Sequence, residues 1–290
     1  MTAVRPKTGA TLLGLNTRKV TVMSTDHMIK SVIESNILRL SFSAPHSGNH
    51  LTYGAMISIR DLFLAAEQNP DVRAIVIAGE GPDFSLGQSD DLADEEWPIE
   101  YAKNKTQGSH GVASFVQQDM LTAIRNIAKP TVAKLQGKVY GLALDIACVC
   151  DFRIADEQVE FKDDRVARAE IADTGITHVL PRLIGQSQAV RVLLLGEMIE
   201  GSEAYRIGLI HRLYSDGELD NAVSALLTIL ATMATRSYGL VKQQVLEELD
   251  MSYDVALMHS MAIRQTNVIE DRIEGSRAFI EKREPDYKGI

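Results

Sequence analysis

The chain has 290 residues, 45% of them hydrophobic and 24% charged, with a formal net charge of −9. That is a globular profile, long enough to bury a sizeable core in one large domain or two modest ones. An acidic chain with no long Lys/Arg run repels a polyphosphate backbone, which speaks against nucleic acid as a partner. No stretch reaches the ~18 consecutive apolar residues of a membrane helix, which speaks against a membrane span.

The first residues carry no apolar core ending in a small-residue cleavage site, so residues 1–27 are expected to be an extension. From Ile29 the pattern alternates between strand and helix. IKSV and ILRLSF flank Glu34-Ser35-Asn36 and predict a hairpin. Met56, Ile59, Phe63 and Ala66 recur at three- and four-residue spacing and predict a helix. RAIVIAG is a run of β-branched residues ended by Gly79, a buried strand.

The segment from Gly81 to Gly108 is polar and acidic and contains Trp97-Pro98, the features of a long irregular loop. A second amphipathic helix carries Val112, Phe115, Met120, Ala123 and Ile127; Pro130 stops it and opens the strand TVAKL. GLALDIACVC is apolar on every side, as a fully buried helix is. Cys148 and Cys150 within it point different ways, which excludes a mutual disulfide or a metal pair. They read as small core residues of a cytoplasmic protein. FRIA is a further short strand, and helices dominate from Gly175 onward. Residues 28–215 are expected to form an α/β core and residues 216–290 a helical region.

Asp145 lies in the middle of the apolar helix. An unpartnered buried carboxylate costs many kcal/mol, so Asp145 must be paired, protonated or facing a cavity. It either caps a turn, pairs with Arg153 or Arg165, or serves as a functional carboxylate. Just upstream, Gly137 to Gly141 forms a strand-to-helix turn. The N–H groups at that helix start are free, and they favour a developing negative charge.

RAIVIAGEGPDFSLGQSDDL, KPTVAKLQGKVYGLALDIACVCDFRIADEQVEF, GITHVLPRLIGQSQAVRVLLLGEMIEGSEAYRIGLIHRL and AFIEKREPDY resemble, in this order, the enoyl-CoA hydratase/isomerase (crotonase) superfamily. The resemblance implies a spiral fold of repeated ββα units with a C-terminal α-helical trimerisation region, assembled as a homotrimer or a dimer of trimers. It implies an oxyanion hole made by the backbone N–H groups of Gln88, after Gly87, and Leu142, after Gly141. Losing one such donor costs about 2.7–4 kcal/mol of transition-state stabilisation.

The side chains depart from the hydratase pattern. Asp145 matches the first of the two hydratase glutamates and Arg165 the second, and arginine cannot act as a general base. Asp173 resembles the catalytic aspartate of dienoyl-CoA isomerases and the nucleophile of the dehalogenase branch. It is equally suited to cap the helix starting near Gly175. Arg165 would pair with Asp145 or Asp164, or bind a substrate carboxylate. Glu170 and His178 are placed on the same pocket wall. His110 and Trp97 belong to an ordinary surface loop or line the acyl pocket.

The resemblance implies coenzyme A as part of the substrate, with no permanently bound cofactor, gripped by Phe279 and Lys282. Asp91 stands where many relatives carry a lysine, and acidic groups beside a phosphate are unfavourable. The phosphates are then held elsewhere, by Lys282 or Arg283, or the substrate is not a CoA ester. The leading expectation is an enolate-forming isomerase or hydratase-like lyase on an acyl-CoA. The alternatives are a CoA-independent hydrolase of a cyclic β-diketone and a non-catalytic homologue.

Overall fold

The computed structural model describes residues 27–89, 109–215, 217–267 and 269–290. Residues 1–26 of the expected extension, together with Asp91 and Trp97, lie outside these, as do the side chains of His110 and Val112. The hairpin forms as expected: β1 (Ile29–Glu34) pairs antiparallel with β2 (Ile37–Phe42). Ser35 and Asn36 turn it with φ of 54° and 61°, the paired left-handed conformation of a tight two-residue hairpin turn. Helix α1 (Tyr53–Gln68) starts where the Thr52 hydroxyl accepts the Ala55 N–H at 3.1 Å, satisfying one orphan donor.

Strands β3 (Ala74–Gly79), β4 (Thr131–Leu135), β6 (Phe152–Asp156) and β9 (Arg212–Tyr214) continue the sheet in parallel, in the order β1-β2-β3-β4-β6-β9. Helix α2 (Ser109–Asn126) precedes β4. A second sheet of β5 (Lys138–Tyr140), β7 (Glu160–Lys162) and β8 (Ile199–Glu200) stands beside the first. Between the strands run α3 (Leu142–Val149), α4 (Ile176–Ile184), α5 (Gln186–Leu195) and α6 (Gly201–Arg206).

Successive side chains of a strand face opposite sides, and β3 divides accordingly. Ile75 and Ile77 join the large core with α1, α2 and α3, while Ala74 and Val76 meet Leu219, Val223, Leu227 and Leu230. Those four leucine and valine side chains belong to α7 (Leu219–Thr232). The core layer therefore extends past the expected boundary at 216. The reason is that a sheet with two apolar faces needs a helix on each.

The remaining helices are α8 (Thr235–Glu247), α9 (Tyr253–Thr266) and α10 (Asp271–Glu281). Cys148 and Cys150 are buried and free, the core role expected of them. Among the described residues no helix is long and apolar enough to cross a membrane.

Candidate active site

After β3 the chain turns at Gly79 and reaches Ser85, whose N–H donates to Lys138 O and whose carbonyl accepts the Tyr140 N–H, each at 3.1 Å. Two residues later this parallel pairing stops. Gly87 has φ +93°, and its N–H bonds to the Ser85 hydroxyl (3.0 Å) instead of the neighbouring strand. A Cβ on Gly87 would stand 2.7 Å from Tyr140 O and 3.2 Å from Leu142 N. Only glycine permits both the conformation and the approach, and the approach sets Gln88 beside the start of α3.

On the other side, Leu51 N–H donates to Gly87 O (2.8 Å) and Ser89 N–H donates to Leu51 O (3.1 Å). In such a parallel bridge the N–H of the residue between, Gln88, faces away from Leu51. Asn49 anchors this loop: it is buried, and its side-chain N–H₂ donates to the carbonyls of Glu80 and Asp83, both at 2.9 Å.

Leu142 is the first residue of α3, so its N–H has no partner within the helix. It stands at the positive end of the helix dipole. Gly141 precedes it with φ 51° and ψ −118°, a combination that side chains disfavour. Nothing lies within 4 Å of where a Gly141 Cβ would be, so this glycine is required by conformation alone and borders open space.

Asp145, one turn into α3, is buried and held by hydrogen bonds. It is 1% exposed. Arg165 grips it with two parallel bonds of 2.8 Å, and the Thr174 hydroxyl donates to it at 2.6 Å. The rest of the Arg165 fork donates to Asp163 through Nε (3.0 Å) and Nη2 (2.5 Å). Burial disfavours the Arg165 charge, but Asp145 and then Asp163 outweigh it and raise its pKa. Burial pushes the Asp145 carboxyl upward, against the pull of Arg165 and Thr174. We read the group as ionised, because parallel N–H···O bonds of this length are charge-assisted.

Several expectations are corrected here. The partners of Arg165 are Asp145 and Asp163, whereas Asp164 pairs with Arg168. Both edges of the Arg165 fork are taken, which leaves none for a substrate carboxylate, and each Asp145 oxygen accepts at least one hydrogen bond. Arg153 does not pair with Asp145 at all; it donates to carbonyls at the far end of α3.

Asp173 is exposed, and the cap position of α4 is Gly175, with φ 88° and no side-chain cap bond. The side chains of Gln117 and Gln118, neighbours on α2, tie the site together. Gln117 donates to the Gln88 side chain, and Gln118 to the Asp173 carbonyl at 2.7 Å. Asp173 also adjoins Thr174, which holds Asp145. Two tethers thus bring its loop to the same end of α3 as Gln88 and Leu142.

Glu170 is exposed and bonded to Arg168 at 3.2 Å. His178 lines a separate cavity with Cys148 and Arg153, at the opposite end of α3. His178 therefore lies off the wall expected for it. Phe279 is 86% exposed and lies beside Ala234 and Tyr287. The Tyr287 carbonyl accepts from Arg73, just ahead of β3. The Gln88 loop follows the other end of that strand, about 17 Å away for six residues. Within one chain, Phe279 and its neighbour Lys282 are therefore placed away from Gln88.

Gln117, Gln118, Asp163 and Thr174 were not singled out from the sequence. The only local signal was two adjacent polar residues on an otherwise apolar-faced helix, and Gln117 is buried.

Two backbone N–H groups, one after a glycine-strained loop and one at a helix N-terminus, thus stand where parallel strands of an α/β fold end. The chain belongs to the enoyl-CoA hydratase/isomerase family, whose model matches residues 32–290. It is 28% identical to an (E)-benzylidenesuccinyl-CoA hydratase of Thauera aromatica, over 89% of this chain and 97% of the relative. It is 27% identical to a peroxisomal Delta(3,5)-Delta(2,4)-dienoyl-CoA isomerase of Arabidopsis thaliana, over 90% and 95%. A proposed enoyl-CoA hydratase from Streptomyces coelicolor A3(2) superposes with a TM-score of 0.81 at 28% identity, over 96% of this chain and all of the other (100%).

Proposed function

We propose that the protein moves a proton on an enoyl-CoA thioester through an enolate, with the Gln88 and Leu142 N–H groups as oxyanion hole and Asp173 as the base. The observation that carries this reading is the ion pair. Arg165 takes Asp145 out of proton transfer, which leaves Asp173, among the described residues, as the carboxylate at that end of α3 outside the ion network. A single carboxylate suits a proton shift better than water addition by an acid pair.

In the step, Asp173 removes a proton from the carbon α to the thioester carbonyl, or from the γ carbon of a conjugated ester, and the electron pair moves into the thioester carbonyl. The resulting oxyanion accepts from the two backbone N–H groups. The same carboxylic acid returns the proton at a different carbon, and the double bond has moved with no net change of atoms. Preorganised donors of this kind are the largest single contribution in such chemistry. The Asp145–Arg165–Asp163 network has a positioning role, holding Thr174 and hence the Asp173 loop.

The relatives named above act on CoA thioesters, which supports coenzyme A as part of this chain's substrate. Phe279 and Lys282 fit a role at the nucleotide only if a second copy of the chain presents them. Helix α9 buries none of its side chains within the chain, and Tyr253, Leu257, Met258 and Met261 on it are exposed. This supports self-association, as a trimer or a dimer of trimers.

The test follows deuterium uptake from heavy water into 3-enoyl-CoA and 2,4-dienoyl-CoA esters. Asp173→Asn is expected to lower the rate by about 10²–10⁴-fold, the usual contribution of a general base. Unchanged exchange in Asp173→Asn would move the proton transfer to another group.

A further inference from the structure

At the far end of α3, away from the oxyanion loop, lies a cavity of about 520 Å³. Helix α3 has eight residues, so the two ends are separated by roughly 10 Å of helix. One wall is apolar: Val179 and Leu183 from α4, Val241, Val245 and Leu246 from α8, and Leu249 beyond it. The volume falls in the range of small-molecule sites, which combine an apolar lining with a few convergent polar groups.

The polar end is built around Arg153, which is 3% exposed. Its Nε donates to Leu209 O (2.7 Å) and its Nη1 to Ala147 O (3.2 Å), Cys148 O (3.5 Å) and Cys150 O (2.6 Å). None of these partners is a carboxylate. Asp151, the one acid in the lining, is engaged by Lys242 at 3.0 Å and by Thr131 at 2.9 and 3.0 Å. Nη2 of Arg153 has no acceptor among the described residues, where no fully buried side-chain polar atom is left unpaired. It must therefore reach open space, and the cavity is the space that Arg153 lines.

A second donor stands beside it. His211 Nδ1 accepts the Arg153 N–H at 3.1 Å, which requires a lone pair there and places the imidazole proton on Nε2. Desolvation of the ring, followed by the Arg153 charge, holds its pKa down to about 4. The ring is neutral at pH 7 and keeps that tautomer.

We infer that this cavity binds a small amphipathic monocarboxylate, its two oxygens taken by Arg153 Nη2 and His211 Nε2 and its apolar body laid against α4 and α8. Asp151 reaches Arg153 only through its charge, without a hydrogen bond, and a carboxylate at Nη2 supplies the direct partner that a buried guanidinium needs. The apolar wall then excludes small inorganic anions and selects for a hydrocarbon portion. The site is separate from the thioester chemistry and does not depend on it.

The probe is decanoate, titrated calorimetrically into the full chain, with decanol as the uncharged control and an excess of butyryl-CoA to fill the oxyanion site. Saturable decanoate binding is expected, unaffected by butyryl-CoA, with decanol weaker by about tenfold or more, the scale of one charge-assisted hydrogen bond. Arg153→Gln should remove the preference for the acid. Since that change risks the fold, Val245→Asp on the exposed α8 surface is the companion, expected to weaken decanoate by a similar factor at unchanged melting temperature and molar mass. Equal affinity for acid and alcohol, competition by butyryl-CoA, or full affinity in Val245→Asp would each overturn the inference. So would an altered molar mass in Val245→Asp, which would make this wall a subunit contact.

Discussion

Gly87→Ala and Gly141→Ala separate two costs that glycine avoids at the proposed oxyanion hole. At Gly141 a Cβ meets nothing within 4 Å, so the penalty is conformational alone, about 1–3 kcal/mol for a sparsely populated backbone region. At Gly87 the conformational cost is joined by a Cβ 2.7 Å from Tyr140 O, and the Tyr140–Leu142 backbone has to retreat. We expect Gly87→Ala to lose about a hundredfold in kcat, the value of one displaced donor. Gly141→Ala should lose mainly melting temperature. Equal kcat losses in the two variants would remove the distinction.

The ion network makes its own prediction at this scale. Arg165→Met leaves Asp145 and Asp163 buried together without a cation. Removing one partner of a buried pair costs about 3–5 kcal/mol, which urea unfolding reads directly. A loss below about 1 kcal/mol, typical of exposed pairs, would mean that the pair is solvated.

Helix α10 is fastened by the tail that follows it. Asp271, at its start, accepts the N–H groups of Lys288 and Gly289, both at 2.7 Å. Glu274, one turn later, accepts from Arg283 (2.6 Å) and from the Asp286 N–H (2.9 Å). The Arg283 hydrogen bond first, and the Asp286 N–H second, hold the Glu274 carboxyl down to about 2. Its folded pKa is thus below the unfolded value near 4.3. The stabilisation is complete above about pH 4.3 and is lost as pH falls toward 2. Amide exchange of residues 283–290 should accelerate over that window, and Glu274→Gln should show faster exchange already at pH 6. A tail whose exchange ignores both changes is held by Asp271 and Arg73 alone.

At the scale of the whole molecule the outer helices stand out. An α9 without a fully buried side chain gains little stability from packing within the chain, and an isolated helix of fourteen residues is marginal in water. Its retention argues for a partner surface. Light scattering is expected to give a multiple of the 31.9 kDa chain mass. Met258→Glu combined with Met261→Glu should reduce it to a single chain, and the melting temperature of the native assembly should rise with protein concentration. A monomeric native protein would leave Phe279 and Lys282 without access to any nucleotide.

Sequence by itself determined the elements whose burial is written in their own period. The hairpin at Ser35-Asn36, the apolar spacing of α1, the β-branched β3 and the all-round apolar α3 were legible because each pattern is local. Gly87 and Gly141 entered through the family resemblance, and the structure supplies the reason for them: positive φ at both, with a close backbone approach at Gly87.

Only the tertiary structure decided the rest. Strands β5, β7 and β8 are two or three residues long, too short for any period to register. Helix α7 reads like its C-terminal neighbours, and only the second apolar face of the sheet draws it into the core. Asp145 could equally have been a base or half of an ion pair. What settles it is topology, which brings Arg165, Asp163 and Thr174 to one buried point where two carboxylates and a guanidinium satisfy one another.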